Sequence, residues 1–568
     1  MIKSKTLFLG WLLALALGLR LWGINYGLPF AFGNIDEAII IVNPLGFLAG
    51  GTGRPSFFEY PALYSYISYF VYLVYFWIGQ MAGNFSSVVD VLFAYAIAPG
   101  KFYLLLRTVT ACLGTATVYV TFRIGRIYFG NAVGYIAALI LAISPLHVAQ
   151  SHWALPDVPM VLFSTVALYF IFGIARTGKP NDYLFTALFS GLAISTKYNA
   201  ALVIIPFVIA HWLRCRAEGR GIVATLVERR LITAGVILIA SFLLGSPYWI
   251  LDFNSYFSAY VSASTHMRVG HLGIVESVPW IWIIPIVLSS EGGLGILFVG
   301  ALIYSLICRR VTTNLLLIMI GVAVFYIGTW GKAGLHYFLP IWPPLALLTA
   351  RVLEDLCVRL QRRRINQNIV LSGFVVVVVL PLVLSDALMN FKMTNEDTRS
   401  IAKRWIEDNL PVYSSIALTM YSYNPPLGSD KLENATDPIH TWANPVFQER
   451  LARYFATVKT YRLVPLWNEE TANDNGAGWK TINQLRVEGV QYIILSSDVY
   501  QRYLDGTPPP ENHPLRADFD RNRAYFEYLL NSHDLEQIKE FIPDAFNLGP
   551  VLKLYALKEN DSIINWTR

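Results

Sequence analysis

The sequence predicts a polytopic α-helical membrane protein of about eleven spans, with outer juxtamembrane helices and a C-terminal extracytoplasmic α/β domain. Three observations lead there. Apolar runs such as "LFLGWLLALALGL" and "FVVVVVLPLVL" recur from the N-terminus to about residue 385. Only 14% of the 568 residues are charged and 55% are hydrophobic, whereas about a quarter of an ordinary soluble domain is charged. The basic residues gather in short loops between the runs, where they set orientation. The net charge of +6 is therefore no sign of a nucleic-acid partner. Only helices and closed barrels satisfy the backbone in lipid, and the short alternating segments of a barrel are absent.

The first run follows Lys3 and Lys5 and has no small-residue cleavage site, so it reads as a retained helix with its N-terminus in the cytoplasm. The later clusters Arg123/Arg126, Arg176/Lys179, Arg214 to Arg230, Arg309/Arg310 and Arg351 to Arg364 then also face the cytoplasm. Spans over 7–23, 104–122, 131–147, 158–175, 183–196, 199–213, 231–247, 292–308, 313–329, 337–351 and 367–385 satisfy that requirement. Segments 61–82 and 277–290 would invert it, so both read as helices lying in the outer interface or re-entering it. The membrane region is 1–385.

Past it, 386–568 turns polar. "NEDTRSIAKRWIEDNLP" reads as an amphipathic helix stopped by Pro411, and "SSIALTM", "VQYIILSS" and "VLKLYALK" read as strands. The four cysteines lie in or beside the spans, so the outer domain has no disulfide framework.

This topology sends Asp36, Glu37, Glu59, His152, Asp157, Lys197, His266, His271 and His336 to one side. Each has a plain alternative. Asp36 in "NIDEA" is a helix N-cap or a general base. Glu59 in "FFEYPALY" is a helix-end acid, or an acid that orients a ligand or holds a metal. Asp157 in "SHWALPDVPM" caps the next helix or faces a cavity. Arg107 and Lys197 snorkel to headgroups or hold a phosphate at the interface. His266, Arg268 and His271 share the next outer loop, and two histidines alone are weak support for a metal. Acids for base chemistry and cations for phosphate, at lipid level, suit attack by an acceptor hydroxyl on a sugar carried by a polyprenyl phosphate. A transporter or flippase of lipid-linked sugars is the alternative.

The order of "DE", "EYPALY", "LLRTVTACLGTATVYVTFRIGRIYFG", "SPLHVAQSHWALPDVPM", "GLAISTKYNA" and "LHYFLPIWPPLALL" resembles the dolichyl-phosphate-mannose protein mannosyltransferases and the bacterial aminoarabinose lipid A transferases. The resemblance covers roughly residues 5 to 385. It implies a C-type membrane glycosyltransferase fold and a polyprenyl-phosphate sugar donor. It makes Asp36 the base, with Glu37 beside it, and assigns Arg107, Lys197 and Tyr198 to the donor phosphate. Glu59, Tyr60, Asp157, Arg268 and His336 then belong to the substrate cavity. A divalent metal on Glu59 with His266 or His271 is the one cofactor implied. Tyr60 stands where the aminoarabinose subgroup has Lys, and His336 where many members have Arg. The character of the C-terminal domain favours a prokaryotic member, in the plasma (inner) membrane among lipids. The acceptor class stays open among protein, lipid and glycan.

A topology reporter fused after residue 90 is expected to read outside. A cytoplasmic signal there would make residues 61–82 a span and overturn the orientation.

Overall fold

The computed structural model describes residues 2–28, 34, 36–272, 283–308, 311–332, 334–362, 372–419, 423–429, 442–467 and 478–558. Most of residues 2–394 are helical. Gly100–Phe129, Asp157–Arg176, Tyr198–Ala217 and Ser372–Asn409 are long and apolar enough to cross a membrane, and shorter apolar helices accompany them. Part of the assigned span 367–385 and of the interface segment 277–290 lies outside the described residues.

Chain chemistry sets the helix limits. Pro180 starts Pro180–Ile194, where its missing N–H costs nothing. The run read as one span over 131–147 is two helices, Asn131–Ala142 and Pro145–Gln150. Pro145 has no N–H to continue the first ladder, so the chain breaks there. Pro340, Pro343 and Pro344 act similarly, so the 3₁₀ turn Leu335–Ile341 precedes Trp342–Arg362.

Helix Pro180–Ile194 packs between Asp157–Arg176 and Arg229–Gly245. At Gly191 an added Cβ would fall on the Ser241 hydroxyl, so the glycine permits this approach. The helix Leu63–Met81 carries exposed Phe70, Trp77, Ile78 and Met81 on one side. Its buried Tyr64 and Tyr72 join Ile40, Ile41, Leu92 and Phe102 in a second core.

At one end of the bundle an ion pair gathers four segments. Glu37 and Arg107 are both 0% exposed. Arg107 Nε and Nη2 donate to the two Glu37 carboxylate oxygens at 2.9 and 2.7 Å. Its Nη1 donates to the carbonyls of Ile24 and Tyr26 at 2.9 and 2.8 Å. The Ala154 N–H donates to Glu37 Oε1 at 2.7 Å. The end of the first helix, the start of Glu37–Leu48, helix Gly100–Ile124 and the turn before Asp157 are thereby joined.

Beyond residue 394 lies an α/β unit. Its six strands are β1 (Ser415–Leu418), β2 (Gly428–Ser429), β3 (Thr460–Pro465), β4 (Tyr492–Ser496), β5 (Leu535–Phe541) and β6 (Leu552–Leu557). They form one sheet in the order β2-β3-β1-β4-β6-β5. The first four are parallel, and β6 and β5 are antiparallel additions. β1, β4 and β6 match sequence expectation, as does helix Thr398–Asn409. β5 escaped it because "LEQIKEF" buries only its two ends and reads as charged.

This unit is tied to the bundle. The Tyr26 hydroxyl donates to Asp397 Oδ2 at 2.6 Å, and Arg399 holds the same carboxylate. Arg450 pairs with Asp90 at 2.6 Å and lies over the Phe93 ring. Phe447 and Leu451 complete the core built on Ile40, Ile41 and Leu92.

Breaking a buried pair leaves a charge without a partner, at about 3–5 kcal/mol. Arg107→Ala is expected to lower stability by that amount, seen as a large fall in thermal unfolding temperature of the detergent-solubilised protein. An unchanged transition would contradict the tie.

Candidate active site

Asp36 occupies the N-cap position of Glu37–Leu48, yet its side chain makes no capping hydrogen bond. The carboxylate is exposed, and the Tyr60 hydroxyl lies 3.4 Å from its Oδ2. The cap reading of this residue therefore fails on geometry, and the side chain faces outward from the ion pair behind it.

The loop bearing Glu59 and Tyr60 is pinned along its length. Arg54 pairs with Asp252 at 2.5 Å. Ser56 N–H and hydroxyl donate to Asn43 Oδ1 at 2.9 and 2.6 Å. Ala62 N–H donates to Ser246 Oγ, and Leu63 N–H to the Ser195 carbonyl, both at 3.0 Å. Glu59 is not a helix-end acid, because the helix begins at Leu63.

Next to this loop is a cavity of about 400 Å³. Its walls include Glu59, Tyr60, Lys197, Tyr198, Arg268 and Tyr337. Lys197 is 8% exposed and sits at the N-cap of the 3₁₀ turn Tyr198–Val203. Its ammonium donates to Asp157 Oδ1 at 2.7 Å and lies 5.6 and 5.2 Å from the Tyr60 and Tyr337 ring centres. Asp157 thus serves Lys197 rather than capping its helix, whose N-cap is Pro156. The Tyr198 hydroxyl accepts from Trp249 Nε1 at 3.2 Å. Asn199 Nδ2 donates to the Tyr337 carbonyl at 3.2 Å, fixing one wall to the other.

Two sequence assignments need correction. Arg107 cannot bind a donor phosphate, because its guanidinium is sealed in the bundle and occupied by Glu37 and two carbonyls. Glu37 is not placed for chemistry either, since both its oxygens accept from Arg107 and the Ala154 N–H. His152 is likewise structural, with its ring nitrogens on the carbonyls of Val148 and Trp22 at 2.9 Å. His336 lies against the Tyr337 ring, 4.0 Å between centres.

Lys332 is the residue that sequence reasoning missed. A lysine directly after an apolar run on the side poor in basic residues was the available signal. Its ammonium is 3.1 Å from His266 Nε2, and the His266 and His271 rings meet edge to face at 5.2 Å. Burial raises the Glu59 carboxyl above its ordinary range, opposed by Lys332 and assisted by Asp36. Burial and Lys332 lower His266. Burial, Lys332, His266 and Arg502 push His271 down to about 4. Both imidazoles are therefore neutral near pH 7.

These residues do not fit a divalent ion. Among the described residues no three His, Cys, Asp or Glu side chains gather closely enough to hold one. An ammonium has donors and no lone pair, so Lys332 engages the very nitrogen lone pair that His266 would offer a metal.

Comparison with known proteins agrees with this architecture. Residues 92–249 match the family described as dolichyl-phosphate-mannose-protein mannosyltransferase. An uncharacterized protein of Aquifex aeolicus (strain VF5) is 23% identical over 252 residues, 44% of this chain. The match spans about half (49%) of that relative's length. Among solved structures, ArnT from Cupriavidus metallidurans bound to undecaprenyl phosphate superposes over 97% of this chain and 98% of its own, with a TM-score of 0.50 and 12% identity. The archaeal oligosaccharyltransferase AglB from Archaeoglobus fulgidus, in complex with an inhibitory peptide and a dolichol-phosphate, covers 88% of this chain and 70% of its own, with a TM-score of 0.52 and 11% identity. The superpositions show that the chain has the membrane fold shared by ArnT and AglB, and its segment 92–249 is similar to the dolichyl-phosphate-mannose-protein mannosyltransferase family.

Proposed function

We propose that the protein transfers a sugar from a polyprenyl-phosphate donor to an acceptor hydroxyl at the outer face of the plasma (inner) membrane, with inversion. The membrane region 1–385 does the chemistry, and 386–568 is an extracytoplasmic domain. One observation carries the reading: an uncapped, exposed Asp36 carboxylate lies beside a cavity lined by Lys197 and Arg268. A candidate general base, joined to the cavity wall through Tyr60, thus stands near two cations that line that cavity, the combination that attack on a phosphate-activated sugar requires.

In the proposed step an Asp36 oxygen takes the acceptor hydroxyl proton. The acceptor oxygen attacks the anomeric carbon from the face opposite the phosphate. The bond from that carbon to the phosphate oxygen breaks, and the phosphate keeps the electron pair. Lys197 and Arg268 stabilise the charge that develops there, with Tyr198 and Tyr337 on the same wall. The leaving group is already good, so no acid is needed on its side. Tyr60 is set to orient Asp36 through its hydroxyl.

The test is transfer in membranes with labelled polyprenyl-phosphate sugars. Asp36→Asn is expected to reduce kcat about 10²–10⁴-fold while leaving donor binding intact. Arg268→Ala is expected to raise KM for the donor with a stability change within about 0.5 kcal/mol. Asp157→Ala, by contrast, strands the buried Lys197 charge and is expected to lower stability by about 3 kcal/mol. Equal transfer by wild type and Asp36→Asn would remove Asp36 as the base. Donor binding without transfer by wild type would favour a transporter of lipid-linked sugars.

A further inference from the structure

We infer that Lys332 supplies, as a side chain, the positive charge that a divalent ion would bring to the Glu59–His266 side of this site, and that the site works without such an ion. The inference rests on the transfer reading for what the charge is used for, though not for whether a metal binds.

Placement comes first. The Lys332 N–H donates to the Met267 carbonyl at 3.1 Å. A Cβ at Gly331 would lie 2.5 Å from the Arg268 carbonyl oxygen. Only a glycine lets this loop run so close to the end of helix Phe253–Val269, and that fixes where the next side chain leaves the backbone. The ammonium then reaches His266 Nε2 at 3.1 Å. Because it can only donate, the ring nitrogen must accept, and the lone pair is no longer available to a metal.

Charge comes second. Burial disfavours the Lys332 charge, Asp36 and Glu59 within electrostatic reach favour it, and Lys197 opposes it. His271, behind His266, faces Lys332 and also Arg502 from helix Ser497–Leu504. A divalent ion on the two histidines would therefore meet two fixed cations, Lys332 and Arg502. The Lys332 charge opposes the repulsion that Asp36 exerts on Glu59. Lys332 is in this sense a positioning residue, fixing the His266 ring and lending its charge to the acids of the site.

The experiment measures zinc binding by titration calorimetry on the full-length protein in detergent, together with bound metal by elemental analysis. Wild type is expected to carry no stoichiometric metal and to bind added Zn²⁺ weakly. Lys332→Met keeps the length of the side chain and releases His266 Nε2. It is expected to bind Zn²⁺ at least about tenfold more tightly, a gain of about 1.4 kcal/mol, and to lose that gain again when His266→Ala is added. In the transfer assay, wild type is expected to keep its rate in chelator, Lys332→Arg to keep most of it, and Lys332→Met to lose most of it. One tightly bound metal per wild-type chain that disappears in His266→Ala would overturn the inference, as would loss of wild-type transfer on chelation or zinc binding by Lys332→Met no tighter than wild type. If no donor supports transfer while the zinc results hold, the functional reading fails and the metal replacement stands.

Discussion

The Glu37–Arg107 pair is the constraint on which the site depends. A carboxylate and a guanidinium removed from water cost several kcal/mol each in desolvation, and the pair persists because strong hydrogen bonds replace most of what water supplied. Here the bidentate contact, two carbonyls and the Ala154 N–H meet that demand. Such a pair adds little net stability against a well-packed apolar alternative. Its effect is geometric. It brings four segments distant in sequence to one point and sets the direction in which the chain leaves residue 36.

That direction separates two neighbouring acids into different roles. Helix geometry turns successive side chains about 100° apart. With Glu37 drawn into the bundle, Asp36 is left outside, at the N-cap and uncapped. A second buried pair repeats the device across the cavity, where Asp157 holds the Lys197 ammonium at 2.7 Å and leaves its charge facing the rings of Tyr60 and Tyr337. The Glu37–Arg107 pair lies behind the walls, whereas the Asp157–Lys197 pair holds a lysine that itself lines the cavity.

The C-terminal α/β unit bears on the same end of the bundle. Asp397 joins it to Tyr26, whose carbonyl is held by Arg107. Arg450 joins it to Asp90, and Leu272 beside His271 packs into its core. The unit is therefore mechanically continuous with the Glu37–Arg107 tie on one side and with the His266–His271 loop on the other. Arg502 extends that continuity to the electrostatics of His271.

The helical membrane architecture was legible in the sequence, because hydrocarbon leaves a chain few ways to satisfy its backbone and apolar runs of the required length are plain to read. The end of the outer amphipathic helix was legible at Pro411, whereas the start at Pro180 was read at 183 and the break at Pro145 was hidden inside a run read as a single span. Strands with apolar cores, such as β1, β4 and β6, were visible; β5 was not, because an edge strand that buries only its ends carries the charges of a loop. For the site, the sequence brought Asp36, Glu59, Lys197 and Arg268 to one list of candidates, but Arg107 and Glu37 stood on it too. Whether a charge is spent on a partner or left for a ligand is a matter of distances between segments remote in sequence. Glu37 to Arg107, Asp157 to Lys197 and Lys332 to His266 span 70, 40 and 66 residues. Periodicity and local composition carry no information on such pairings, so only the packed structure decided which charged groups are structural and which face the cavity.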